Sequence, residues 1–219
     1  MAINILKNLF QRDPDKNEPQ KPANEFRILT QRHIDELQSG EEGKRGLIIK
    51  ELCLIGDSIV DDLILALEEW YNWSHSDISS ITLRISIAQI LGILGDAQAI
   101  NPLIKMAGRV EKTLNHRKTA AESLAQIGQK AFIPMLELLE SNDPNSQQLA
   151  AWALGKMGNS KAIEYLIPLL SREPFHYPHV RAASNQALTE LTGQNFGENI
   201  DLWEKWVDEN LSDMQGNNA

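Results

Sequence analysis

Residues 147–170 read QQLAAWALGKMGNSKAIEYLIPLL. Leu154 and Met157 stand four and one residues before Gly158, a spacing that puts both on one helical face. Gly155 follows the leucine and leaves room for a neighbouring helix. Asn159 is suited to capping the free N–H groups of a second helix, and Leu166, eight residues past the glycine, begins that helix's apolar stripe. The segment is a helical hairpin, and hairpins of this kind bury their faces only against copies of themselves.

Such copies are present. The stretches KRGLIIKELCLIGD (44–57), LRISIAQILGILGD (83–96), HRKTAAESLAQIGQ (116–129), SQQLAAWALGKMGN (146–159) and VRAASNQALTELTG (180–193) stack on Gly56, Gly95, Gly128, Gly158 and Thr192. The anchors are 39, 33, 30 and 34 residues apart, within the range of helical repeats. Four residues earlier stand Leu52, Leu91, Leu124, Leu154 and Leu188, and one residue earlier Ile55, Leu94, Ile127, Met157 and Leu191. The position after the leucine is small each time: Cys53, Gly92, Ala125, Gly155 and Thr189. After the anchors, Asp57, Asp96 and Asn159 are placed as caps, with Gln129 a weaker one, and Ile64, Leu103, Leu136 and Leu166 supply the second-helix stripe. Without strand alternation or hairpin signals in the repeats, the expected fold is all-α: an α-solenoid of about five helical hairpins.

The fifth unit has a longer turn, GQNFGEN, and its second helix carries Trp203 and Trp206 where aliphatics are expected. A last repeat has one face without a neighbour, so these indoles are read as a C-terminal cap. On the other side, residues 1–25 comprise a short amphipathic helix (Ile3, Leu6, Phe10) and a polar, proline-bearing linker. A helix carrying Phe26, Leu29, Ile34 and Leu37 then closes the first repeat. The expected organisation is a solenoid over 26–212, with repeats near 41–73, 77–110, 113–141, 144–172 and 178–212, and a disordered tail at 213–219.

The pattern of Arg, Ala-Ala, Ala-Leu-Gly, Gly-Asp or Gly-Asn, and Ala-Ile resembles the HEAT-like repeat named after the phycobilisome bilin lyases. VRAASNQAL (180–188) is the most typical arginine-bearing start, and the likeness extends over about 41–210. Departures are Gln147 in place of the arginine and Gln129 in place of the aspartate. The resemblance implies an armadillo-like helical fold and admits bilin lyase subunits, phycobilisome-degradation factors and scaffolds as functions.

Eleven residues before the anchors stand Arg45, Arg84, Arg117 and Arg181. One reading is a row gripping an acidic partner or tetrapyrrole propionates. The other, preferred, is that each arginine bonds a carbonyl or carboxylate of the preceding repeat, so that Arg45, Arg84, Arg117, Arg181, Asp57 and Asp96 form a structural ladder.

The chain has 219 residues, 21 Lys plus Arg against 30 Asp plus Glu, and a formal net charge of −9, a balance that argues against general affinity for nucleic acid or anionic lipid. A single cysteine, Cys53, forms no intrachain disulfide, and a reducing, cytoplasmic setting is expected. No apolar run reaches the length of a membrane span, and the N-terminus lacks the features of a secretory leader. Phosphate-loop, dinucleotide, zinc-protease and nucleophile-elbow motifs are missing. Cys53 reads as structural, the acid pairs Glu41-Glu42, Asp61-Asp62 and Glu68-Glu69 as solvated helix surface, and His176 with His179 fall short of a zinc ligand set.

Binding candidates remain. Trp70, Tyr71 and Trp73 in one connection and Phe175 and Tyr177 in another project from the same edge of the array. Lys105, Arg109, Lys112, Arg117 and Lys118 concentrate positive charge, while Asp62, Glu69, Glu137 and Glu164 lie on second helices away from the core stripe. The expected function is a non-catalytic scaffold or adaptor binding a partner protein on its concave face and loop edge, with no resident cofactor. The alternative is a bilin lyase, chaperone or degradation factor acting on a phycobiliprotein with transient contact to bilin. A second alternative is nucleic-acid binding through the basic patch.

Overall fold

The computed structural model describes residues 23–39, 42–69, 78–107, 114–172 and 177–216, and every regular element among them is helical. The chain divides into two compact units, Met1–Ser86 and Ile87–Ala219, a division that falls within one long helix.

The first unit holds α1 (Ala23–Gln38), α2 (Glu42–Ile55), a 3-10 turn (Gly56–Ile59), α3 (Val60–Glu69) and the start of α4 (Ile78–Leu94). Ile34 and Leu37 of α1, Ile48 and Leu52 of α2, and Ile59, Val60, Leu63 and Leu67 from the turn and α3 are buried. Helix α1 packs on both α2 and α3. A polar pair sits inside this contact: buried His33 places Nε2 3.0 Å from Oε2 of buried Glu51 and Nδ1 2.8 Å from the Leu29 carbonyl oxygen. Each polar atom brought out of water there has a partner, which removes most of the burial cost.

The second unit continues with the end of α4, a 3-10 turn (Ala97–Ala99), α5 (Ile100–Ala107), α6 (Leu114–Ile127), α7 (Gln129–Leu139) and α8 (Pro144–Met157). A 3-10 turn (Ser160–Ala162), α9 (Ile163–Leu166), a second 3-10 turn (Ile167–Ser171), α10 (Pro178–Thr192) and α11 (Ile200–Gly216) complete it. The first helices α6, α8 and α10 stack in a row, and the second helices α5, α7 and α9 pack on the first helix that follows them. Leu52, Leu91, Leu124, Leu154 and Leu188 are all fully buried. The residue one before the anchor is shallower: Ile127 is buried, whereas Ile55, Leu94, Met157 and Leu191 are half-buried.

The small residue beside the leucine sets how closely first helices meet. A Cβ on Gly92 would lie 2.7 Å from the Cα of Ser123, and one on Gly155 2.7 Å from the Cα of Ala187. Backbone stands against backbone at both places, so glycine is required.

Gly56, Gly95, Gly128 and Gly158 all have positive φ, between 69° and 79°, the left-handed conformation that glycine adopts without a Cβ penalty. In the fifth repeat this residue is Gly193, at φ 71°, and not Thr192. Helix α10 therefore runs one residue longer than the stacked sequences indicated. The turns that follow fall into two lengths. Asp96 and Asn159 have extended backbones and accept from the N–H of Gln98 and Lys161. In repeats one and three the turn is one residue shorter. Asp57 then falls inside the 3-10 turn, whose N-cap position makes no side-chain bond, and Gly128 itself leads into α7. Asp57 is thus not a cap. The same shortening moves the buried second-helix residue from Ile64 and Leu136, both half-buried, to Leu63 and Met135, while Leu103 and Leu166 keep the expected position.

At the C-terminal end Trp203 is fully buried, donates from Nε1 to the Gly197 carbonyl at 2.9 Å, and meets Phe196 edge-on at 4.8 Å. Helix α11 lies against the 3-10 turns flanking α9. Trp203 fills the role of the cap, and Trp206 is only half-buried. Helix α11 reaches Gly216, four residues past the expected boundary. The N-terminal amphipathic segment with Ile3, Leu6 and Phe10 lies outside the described residues.

Two stability predictions follow from these contacts, each checked by urea unfolding. Gly155→Ala forces two helix backbones apart and lowers stability by about 1–3 kcal/mol, whereas Gly46→Ala, at an exposed helix site with nothing within 4 Å, raises it by ~0.5–1 kcal/mol. Trp203→Ala costs about 3–5 kcal/mol and Trp203→Phe about 1–2 kcal/mol, through the lost indole hydrogen bond.

Candidate functional site

Counting from the buried residues Leu103, Met135 and Leu166 brings successive second helices into register. Two positions before them stand Asn101, Ile133 and Glu164; two positions after stand Lys105, Glu137 and Pro168. All six are exposed. Residues four apart share a face of a helix, so α5 and α7 each turn an equivalent pair of side chains outward, and in the next repeat Glu164 of α9 and Pro168 of the 3-10 turn after it hold the corresponding exposed positions. The sequence-derived candidates Lys105, Glu137 and Glu164 belong to this row. Ile133, 56% exposed, makes the row apolar at one position, and Tyr165, 41% exposed, adjoins it next to Glu164; neither was marked by the sequence reading. Among the described residues Glu137 and Glu164 enter no ion pair. Two apolar side chains among carboxylates and a lysine make a surface suited to protein contact, where large side chains supply area and charges set orientation.

The arginine positions are not a uniform ladder. Arg84 is buried and donates from Nε to the Ser80 carbonyl of its own helix at 3.1 Å. Arg117 reaches forward, not backward: its Nη1 donates to Asn145 Oδ1 and, at 3.1 Å, to Gln148 Oε1 on α8. Arg181 pairs with Glu198 in the connection to α11. Arg45 is half-buried. The backward staple is made instead by Gln147, the residue that replaces the arginine. Its Nε2 donates to the carbonyls of Leu139 and Ser141, both at 2.8 Å, satisfying backbone groups at the end of α7. Lys130 makes a further inter-repeat tie, from Nζ to the Gly95 carbonyl at 3.0 Å.

These contacts take up part of the basic region. Arg117 is engaged with α8, and Lys118 Nζ stands 5.8 Å from the centre of the Trp152 ring, a cation–π distance. Lys105 remains on the exposed row, while Arg109 and Lys112 lie outside the described residues. So do Trp70, Tyr71, Trp73, Phe175 and His176. Tyr177 is half-buried, with the Arg172 guanidinium carbon 5.5 Å from its ring centre. His179 is exposed at the start of α10. Among the described residues no three His, Cys, Asp or Glu side chains come together as a metal site, and no helix is long and apolar enough to cross a membrane.

Cys53 is half-buried on α2, and desolvation pushes its thiol above the ordinary value. The neutral thiol is the weaker nucleophile. The buried His33–Glu51 pair escaped the sequence reading because its members are 18 residues apart on different helices; the available signal was a histidine and a glutamate each flanked by core aliphatics, at Ile34 and Leu52.

Residues 114–189 match the family model described as HEAT repeats, and residues 83–108 match that of the PBS lyase HEAT-like repeat. Phycocyanobilin lyase subunit alpha of a Picosynechococcus strain is similar to this chain, 30% identical over 146 residues that make up 61% of this chain and 52% of the relative. The chain spans about half the length of the curated relative it matches. The helical hairpins, left-handed glycine turns and buried leucines already described agree with these matches, which identify HEAT repeats over residues 114–189 and a repeat of the PBS lyase HEAT-like type over residues 83–108.

Proposed function

We propose that the chain acts as a non-catalytic interaction scaffold whose second helices receive a partner protein. The observation that carries this reading is the exposed row at equivalent positions of three consecutive repeats: Asn101 and Lys105, Ile133 and Glu137, Glu164 and Pro168. Repeats hold such a row preformed, so little ordering entropy opposes docking. Ile133 and Tyr165 serve as apolar anchors, and Lys105, Glu137 and Glu164 orient the partner. The mechanism is presentation of a surface.

A second reading is favoured by the similarity to phycocyanobilin lyase subunit alpha. In it the partner is a phycobiliprotein and the scaffold positions, escorts or removes its bilin. Nucleic acid is a poor fit for a chain of net charge −9, two of whose basic-patch cations face a neighbouring helix.

Affinity capture from native extract, run with wild type beside an Ile133→Asp/Glu137→Lys variant of unchanged circular dichroism, tests the first reading. A stoichiometric partner is expected with wild type and lost with the variant; a partner retained by both removes the second-helix row from the proposal. Adding phycocyanobilin to the purified chain tests the second. A shift of the visible absorption band is expected there, and an unchanged band at saturating protein excludes direct pigment handling.

A further inference from the structure

Helix α2 turns an apolar stripe outward. Leu47 and Leu54 are 51% and 48% exposed and stand seven residues apart, two turns along one face, with exposed Lys50 between them. Gly43 and Gly46 lie on the outer side of the same helix, and a Cβ at either would meet nothing within 4 Å, so another helix has room to come close. Charge on the described outer side chains of α2 is positive: Lys44 and Lys50 are exposed and Arg45 is half-buried, while Glu51 is buried against His33. This is the reverse of the chain's overall sign.

Helix α11 carries the complementary surface. Its Leu202 is 44% exposed, and Trp206, four residues on, is half-buried on the same stripe. Asp201, Glu204, Asp208 and Glu209 are exposed beside them; Lys205, also exposed, lies 3.9 Å from Glu209. The two helices thus match in both respects that govern helix docking, an apolar stripe for area and opposite flanking charge for register. Pairing α2 with a second α2, or α11 with a second α11, would set like charges against each other.

We infer that this protein self-associates head to tail, the exposed face of α2 in one copy docking on the exposed face of α11 in a second copy. Two different patches meet, so the contact is heterologous. Each added copy leaves one α2 face and one α11 face open, and growth continues unless the rotation between copies closes a ring.

Sedimentation velocity of the full chain over a concentration series tests this, at about 10 mM and about 1 M salt, where the screening length is ~30 and ~3 Å. The sedimentation coefficient should rise with concentration at low salt and rise less at high salt. Leu54→Asp and Leu202→Asp should each be monomeric alone, yet form a 1:1 dimer that grows no further when mixed, because each supplies the face the other has lost. Should either leucine variant lose its circular dichroism signal, charge reversal replaces it: Lys50→Glu and Glu204→Lys should each weaken association several-fold, and both in one chain should restore it. A wild type that stays monomeric at every concentration overturns the inference. So does association that survives both substitutions, or variants that fail to complement each other while the wild type associates.

Discussion

The structure of the second unit rests on helix backbones brought together where a side chain is missing. At Gly92 and Gly155 the neighbouring first helix comes so near that a Cβ would lie 2.7 Å from backbone carbon. The fully buried leucine one residue earlier then fills the space beside each crossing. Such close approach maximises dispersion contact per residue, but it also fixes each helix against the next, because sliding by one residue would bring a side chain into the gap. The outward row on the second helices inherits its spacing from these crossings.

Contacts in a repeat array are made between neighbours, so stability accumulates one interface at a time and the ends are weakest. Trp203 answers this at the C-terminal end, where one residue covers the last repeat and donates its N–H to the Gly197 carbonyl. In the first unit α1 does the corresponding work with aliphatics and with the buried His33–Glu51 pair. Burying two titratable groups costs more than burying Leu or Ile in their place, and that cost is offset only while both ring nitrogens keep their partners. The pair ties α1 to α2 through one specific polar contact.

Which parts of this were legible beforehand follows from the physics of each signal. The leucine ladder, the small residue beside it and the C-terminal indole were readable because burial imposes a helical period on the sequence, and the five stretches repeat it. Asp57 was misleading: its residue type favours capping, but the turn it occupies is one residue shorter than at Asp96, and residue type carries no record of turn length. The missed position of Gly193 has the same origin, since one added residue in α10 leaves the leucine alignment intact. Lys105, Glu137 and Glu164 were visible as charges off the apolar stripe. Ile133 and Tyr165 were not, because an apolar side chain on an amphipathic helix reads as core until its exposure is measured. Arg117 shows a further limit: its spacing placed it at a repeat junction, but only the fold settles that it reaches the following repeat.

Apolar side chains that the fold leaves outside must find another use or carry a solubility cost. In the first unit Leu47 and Leu54 lie on α2 beside lysines, and Ile28 of α1 and Leu65 of α3 are exposed as well; in the second, Ile93 of α4 is exposed, Ile133 and Tyr165 lie beside carboxylates, and Leu202 stands among the acids of α11. On α2 and α11 the described flanking charge is mostly of one sign, which discourages contact between identical faces and permits contact with the opposite kind. Ile133 and Tyr165 belong to α7 and α9 and Leu202 to α11, so the scaffold row and the α11 face occupy separate helices. A copy engaged through α11 therefore keeps its own second-helix row in place, and association in this manner would multiply the row along an assembly, raising the effective concentration of docking sites without altering any one of them.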